Sequence, residues 1–248
     1  MDLGGKIILV TGAAQGIGEA TARLCAERGA TVILMDQQGE AATCVAADIR
    51  AGGGAAEAAQ ADVRDDAAVA AVFAGVRERH GRLDALICAA GVLKGAYEQP
   101  EELSIDNWDL VLDVNVKGIF LCVKHAAALL EASGRGVLIL ISSGGGVRGP
   151  SSSLAYGASK AGVHGLGLTM EGRLAPRGIR VNVVCPGQIA TEMKLSVIAV
   201  EAERAGRPKE EVFDEARLVL GSADGVAKVI AFLASSEADY VRGTLFTR

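Results

Sequence analysis

No two of the five cysteines, Cys25, Cys44, Cys88, Cys122 and Cys185, stand in a C-x-x-C spacing, and their number is odd. That pattern argues against a disulfide framework and against a zinc site, and leaves buried free thiols as the plain reading. The three histidines, His80, His125 and His164, also lack metal-ligand spacing, so no metal is expected. No run of Lys or Arg lines a face, and the formal net charge of -5 is mildly acidic. The electrostatic footprint of a nucleic-acid binder is therefore missing. No apolar stretch is long enough to span a bilayer, and from Met1 the chain passes through Asp2 and Lys6 straight into the apolar run Ile7–Val10, without room for a secretory signal. The expectation is a cytoplasmic protein with neither a nucleic-acid nor a membrane partner.

Half of the 248 residues are apolar, 22% are charged and 32 are glycine, a composition that suits a compact α/β protein with many tight turns rather than a disordered chain. No repeat or linker divides it, so a single domain over residues 1–248 is expected. Apolar runs at Ile7–Val10, Thr31–Met35, Leu83–Cys88, Val137–Ile141 and Arg180–Val184 alternate with helical patterns, which predicts a doubly wound parallel sheet flanked by helices. Ala55–Asp62 reads as a further strand despite alanine's weak preference for extended structure, and the chain stops soon after a last strand begins at Thr244. Between Gln188 and Leu220 the pattern turns polar and helical, with Glu201, Glu203, Arg204, Arg207, Lys209, Glu210 and Glu211 clustered. A substrate lid over about 188–220 is expected there, its charges forming a solvated surface.

Directly after the first strand comes T-G-A-A-Q-G-I-G, Thr11 to Gly18, leading into a helix. Gly12, Gly16 and Gly18 let the backbone approach a pyrophosphate, and the N–H groups of the following helix favour its charge. Asp36 ends the second strand, 18 residues after Gly18, where a carboxylate accepts hydrogen bonds from ribose hydroxyls and repels a 2′-phosphate. Neither Gln15 nor Gln37 supplies an offsetting cation, so NAD is expected over NADP.

Tyr156 and Lys160 stand four apart in Y-G-A-S-K, at the start of a helical stretch and on one face of it. An ammonium about 4 Å from a phenol is worth on the order of 4 kcal/mol at an effective dielectric of ~20, enough to draw its pKa from ~10 toward neutrality. Alone, the pair reads more simply as two solvated helix residues. Upstream, I-S-S-G-G-G places Ser142 and Ser143 at the C-terminal end of a strand, where ligand crevices open. A serine hydroxyl there can donate to a substrate oxygen as charge develops on it. Asn115 is a polar residue inside an apolar helix running from about Trp108 to Glu131.

Taken together in this order, the motifs resemble those of the classical short-chain dehydrogenases/reductases over nearly the whole chain. The resemblance implies a Rossmann-type fold and assigns Thr11–Gly18, with Gln15 and Ile17, to the cofactor's glycine motif. It places Asp62 and Val63 on the adenine side, and Ala90 and Gly91 at the pocket wall. Pro186 and Gly187 match the family's P-G motif, with Ile189 and Thr191 at the nicotinamide carboxamide. It makes Tyr156 the acid/base, with Lys160 lowering its pKa and holding the nicotinamide ribose. Ser143 would orient the substrate oxygen, and Asn115 would place a water for proton relay toward Lys160. Where the family usually reads N-N-A-G, this chain has Cys88-Ala89-Ala90-Gly91, so two amides are absent. Pairing of the long helices into a homotetramer, or a homodimer, is implied by the same analogy.

The expected function is hydride transfer between NAD and a neutral secondary alcohol or ketone, such as a sugar, polyol, 3-oxoacyl or steroid-like compound. No cluster of cations is expected in its pocket. The rival is a catalytically idle NAD-binding sensor or scaffold, which a replacement at Tyr156 or Lys160 would favour; neither is replaced.

Overall fold

The computed structural model describes residues 1–248. Seven strands form one sheet in the order β3-β2-β1-β4-β5-β6-β7, and every neighbouring pair is parallel. The strands are β1 Ile7–Thr11, β2 Thr31–Asp36, β3 Ala55–Gln60, β4 Ala85–Cys88, β5 Val137–Ile141, β6 Arg180–Cys185 and β7 Gly243–Phe246. Between them run α1 Gly16–Glu27, α2 Gly39–Ala51, α3 Asp66–His80, α4 Ile105–Leu112, α5 Gly118–Ala132, α6 Leu154–Leu174, α7 Glu192–Arg204, α8 Lys209–Val219 and α9 Ala223–Ala234.

Continuous apolar strands bury both faces of the sheet. Leu9, Ile33, Leu86 and Leu138 point to one side and pack on α3, α5 and α6 through Phe73, Leu129 and Val163. Ile8, Val32, Ile87 and Ile139 point to the other and pack on α1, α2 and α9 through Cys25, Ile49 and Ile230. Residue-by-residue alternation thus gives each face its own helix layer, the Rossmann-like arrangement expected. No helix is long and apolar enough to cross a membrane.

Three boundaries differ from those expected by two residues or more. β4 begins at Ala85 rather than Leu83, because the Leu83 amide bonds the Leu129 carbonyl at the end of α5 and only then does the chain join β1. β3 stops at Gln60; its alanines hold an extended edge through full register with β2, and tertiary pairing overrides propensity. The long helix starts at Ile105, capped by Ser104, and a π-helical turn at Asp113–Lys117 interrupts it around Asn115. One extra residue in that turn rotates Asn115 inward, as π turns commonly do at functional sites. Four cysteines are buried as expected, whereas Cys44 on α2 is exposed.

Outer elements are tied in by a buried cation. Arg180, 7% exposed, donates to Leu233 O at 2.7 Å, Ser235 O at 3.3 Å and Asn182 Oδ1 at 2.9 Å. It thereby satisfies carbonyls at the C-terminal end of α9 that the helix itself leaves unpaired. Replacing Arg180 with Leu strands those groups, and chemical denaturation is expected to show a loss of about 1–3 kcal/mol; an unchanged midpoint would contradict this role.

Candidate active site

The strand order reverses between β1 and β4, so the crevice opens above the C-terminal ends of these two strands. A cleft of about 830 Å³ occupies it. At its near end the Thr11–Gly18 loop lies against the exit of β4. Gly12 has φ 66°, and a Cβ on it would stand 2.7 Å from the backbone of Ala90. A Cβ on Gly18 would collide with the Gly12 carbonyl. Only glycine fits these two positions. Thr11 Oγ1 accepts the Ala90 amide at 3.1 Å, which binds the two loops together without the amides that Cys88 and Ala89 replace. Gln15 leaves α1 without a side-chain cap, so the first N–H groups of this helix stay available to an anion. Thr191 stands across the loop from Gly16.

Asp36 is buried and links two turns: Oδ2 accepts Ala14 N at 3.0 Å and Oδ1 accepts Gln38 N at 2.9 Å. Beside it in the cleft wall are Gln15, Gln37 and Gln38, all uncharged. At the outer end Arg64 grips the Asp62 carboxylate, with Nη2 to Oδ2 at 2.6 Å, and holds its pKa below the usual carboxylate range. Val63 is buried against Gly118.

At the other end the first turns of α6 meet the end of β5. Ser153 caps α6, accepting Tyr156 N at 3.2 Å and donating to Lys94 O at 2.6 Å. Lys160, 4% exposed, donates from Nζ to Ile141 O at 2.8 Å. Its Nζ lies 5.4 Å from the centre of the Tyr156 ring. Ser142 Oγ donates to Lys160 O at 2.7 Å, while the half-buried Ser143 faces the cleft and accepts Gly145 N at 3.1 Å. Pro186 accepts the Gly144 amide at 2.8 Å, bringing Gly187, Ile189 and Thr191 to the same wall.

Electrostatics here differ from the expected picture. Burial pushes the Tyr156 phenol up to about 12, with Ser143 acting weakly against it. Burial also lowers Lys160 to about 8. The shift of the phenol comes from lost water and Ser143, with no contribution from the Lys160 ammonium; both groups are desolvated on the same cleft floor, which disfavours the charged form of each. The shift favours the uncharged form of the Tyr156 phenol.

Of the positions named from sequence, the structure brings Gly12, Gln15, Gly16, Ile17, Gly18, Asp36, Asp62, Val63, Ala90, Gly91, Ser143, Tyr156, Lys160, Pro186, Gly187, Ile189 and Thr191 to the cleft wall. Asn115 stands behind it, fully buried. Its Oδ1 accepts Val92 N at 2.8 Å, and its Nδ2 donates to Val92 O at 3.0 Å and Ser159 Oγ at 2.9 Å. The side chain is thus engaged in holding the β4 exit to α6, because the π turn aims it at the Val92 backbone.

The short chain dehydrogenase family profile matches residues 6–201. The chain belongs to this family. It is an oxidoreductase of the short chain dehydrogenase type, acting on CH–OH and keto groups with a nicotinamide cofactor. It is 38% identical to a cis-4-hydroxycyclohexanecarboxylate dehydrogenase of Sinomonas cyclohexanicum, over 97% of this chain and 93% of that protein. To a 3-oxoacyl-[acyl-carrier-protein] reductase of Thermotoga maritima it is 36% identical, over 98% and 96%. An actinorhodin polyketide ketoreductase with NADPH superposes with a TM-score of 0.91 at 32% identity, covering 98% of this chain and 95% of that one.

Sequence reasoning missed several members of this short chain dehydrogenase site. Ser153 carried a signal, a serine three residues before Tyr156 at a helix start. Ser159 bridges Asn115 to the Tyr156 carbonyl at 2.8 Å, and nothing in the sequence marked it. Arg148 and Lys194 also reach the wall, where no cluster of cations was expected. They stand on separate elements and form no cluster, and the Arg148 guanidinium lies 3.5 Å over the Phe246 ring.

With Tyr156 at about 12, the cofactor-free protein should form no phenolate at this position below the ordinary tyrosine pKa of ~10. Ultraviolet titration of the wild type against Tyr156→Phe checks this, and a phenolate lost with the mutation near neutral pH would contradict it.

Proposed function

We propose that the cleft binds NAD and exchanges a hydride with a secondary alcohol or ketone, with Tyr156 moving the proton. The observation that carries this reading is the phenol of Tyr156 beside Ser143 and the buried Lys160, all facing one cleft with the glycine loop. The uncapped start of α1 and the Cβ-free approach of Gly12 to Ala90 suit a dinucleotide's pyrophosphate. When bound, the nicotinamide supplies the redox chemistry.

The residues divide the remaining work. Ser143 Oγ orients the substrate oxygen and stabilises charge developing on it. In the reductive direction Tyr156 Oη donates its proton to that oxygen; in the oxidative direction it accepts one. Lys160, anchored on Ile141 O and lowered to about 8, holds its own proton loosely enough to replenish the phenol. Asn115 and Ser159 act as positioning residues, fixing the Tyr156 turn to the exit of β4. We assign Asp62 and Val63 to the adenine, and Pro186, Gly187, Ile189 and Thr191 to the nicotinamide wall. The flap of α7 and α8 closes the substrate end.

Asp36 supports NAD over NADP. Its buried carboxylate has only uncharged neighbours in the cleft wall at Gln15, Gln37 and Gln38, and a 2′-phosphate placed there meets a like charge, which costs several kcal/mol. Leu93, Tyr97, Met193 and Val197 give the substrate end an apolar wall. The relatives' hydroxycyclohexanecarboxylate and oxoacyl substrates define the panel to try. Exposed Phe120 on α5 and Leu168 on α6, 51% and 52% exposed, support pairing of these helices in a homotetramer.

Tested on secondary alcohols, polyols, hydroxycyclohexanecarboxylate, a 3β-hydroxysteroid and hydroxyacyl thioesters, Tyr156→Phe should lower turnover by about 10²-fold or more. Its NAD affinity should stay close to wild type. Retained turnover would refute the assignment, and NAD binding without wild-type turnover on any member would favour an idle binding protein. The ratio of kcat/KM for NAD over NADP should exceed about tenfold and fall in Asp36→Ser; an unchanged ratio would remove Asp36 from cofactor choice.

A further inference from the structure

Tyr97 is the single non-glycine residue with positive φ, at 63°. A bulky side chain in this left-handed region costs energy that glycine avoids, and such strain persists only where the surroundings enforce it. Three segments enforce it here. The Tyr97 amide donates to Ser152 O at 2.6 Å, and Ala96 bridges to Ser153, the cap of α6. The Tyr97 hydroxyl donates to Glu201 Oε2 at 3.2 Å. Arg204 Nη1 donates to the Tyr97 carbonyl at 3.0 Å, its guanidinium 6.0 Å from the ring centre.

Glu201 and Arg204 belong to α7; they are exposed, as expected of this charged segment, and both bond Tyr97 at the edge of the cleft. At its base the α7–α8 flap is joined to itself by Ala190 N to Gly221 O and Gly221 N to Gln188 O, 2.8 and 2.9 Å. Beyond that base, Tyr97 is the only residue outside the flap that hydrogen-bonds a side chain of α7 or α8; Arg207 and Arg217 pair within the flap, with Glu215 and Asp214. Met193 and Val197 of the same helix line the cleft beside Tyr97.

We propose that Tyr97 latches α7 across the mouth of the cleft and so sets how tightly the substrate, rather than the cofactor, is held. Tyr97 is a positioning residue for the apolar wall that Met193 and Val197 present. Its hydroxyl bonds one turn of the flap, its carbonyl the next, and its amide fixes both to the loop preceding Tyr156. The glycine loop and Asp36, at the far end of the crevice, share none of these contacts.

The kinetic half of the proposal rests on the redox reading of the cleft; the latch itself is read separately by hydrogen exchange. Tyr97→Phe keeps the ring and removes the hydroxyl, Glu201→Leu removes its acceptor, and Glu201→Gln retains one. Amides of Val197–Ala202 should exchange about three- to tenfold faster in Tyr97→Phe and Glu201→Leu. The double variant should be no faster than either, Glu201→Gln should stay near wild type, and α6 should be unchanged. With the panel substrate that turns over, KM should rise by a similar factor while kcat and the NAD dissociation constant stay within about twofold. Unchanged exchange in α7, or effects that add in the double variant, would overturn the latch. Faster exchange with KM unmoved, or with NAD affinity falling alongside, would overturn its role in holding substrate. Wild-type protein inert toward the whole panel would count against the redox reading alone, with the exchange data still deciding the latch.

Discussion

Two reciprocal hydrogen bonds between the end of β5 and the first turns of α6 hold the reacting groups in place. Lys160 Nζ donates to Ile141 O, and Ser142 Oγ donates back to Lys160 O. The ammonium has left water for a single backbone carbonyl, which would be costly in isolation, and its depressed pKa of about 8 records that cost. Moving α6 along the sheet would break both bonds and misplace Tyr156. The cap at Ser153 and the Asn115–Ser159 bridge brace the same turn from two other directions.

Desolvation then sets the chemistry. One dry floor raises the phenol and lowers the amine, so the phenol is favoured uncharged and the ammonium holds its proton less tightly, which suits the acid we propose at Tyr156. The opposite end of the crevice is built from different physics: backbone N–H groups, the close approach of Gly12 to Ala90, and the buried carboxylate of Asp36. In the function we propose, dinucleotide recognition is therefore mostly main-chain, and proton chemistry is mostly side-chain. The switch point between β1 and β4 brings them together.

Much of this was legible in the sequence because it depends on local pattern. Apolar runs buried on both sheet faces announced the strands, and the glycine motif and Y-x3-K pair stood out by residue type and context. The alanine-rich β3 was legible only through its place between helices, since pairing with β2 rather than propensity makes it a strand. Other features depend on the three-dimensional arrangement. The π turn that swings Asn115 onto the Val92 backbone has no sequence signature, and Tyr97 meets Glu201 and Arg204 across more than a hundred residues. The direction of the phenol's shift depends on the same arrangement. A charge at a given distance can be guessed from helical spacing, whereas the loss of water around both partners cannot.

We propose that the buried Lys160 ammonium serves the proton held by Tyr156, and chemical rescue is the direct test. Single-turnover carbonyl reduction by Lys160→Ala should be slower than wild type by about 10²-fold or more. Added methylamine, entering the space the side chain leaves, should restore the rate in a saturable way with no effect on the wild type. A Lys160→Ala protein that is folded and binds NAD, yet reduces substrate at the wild-type rate without added amine, would contradict the account.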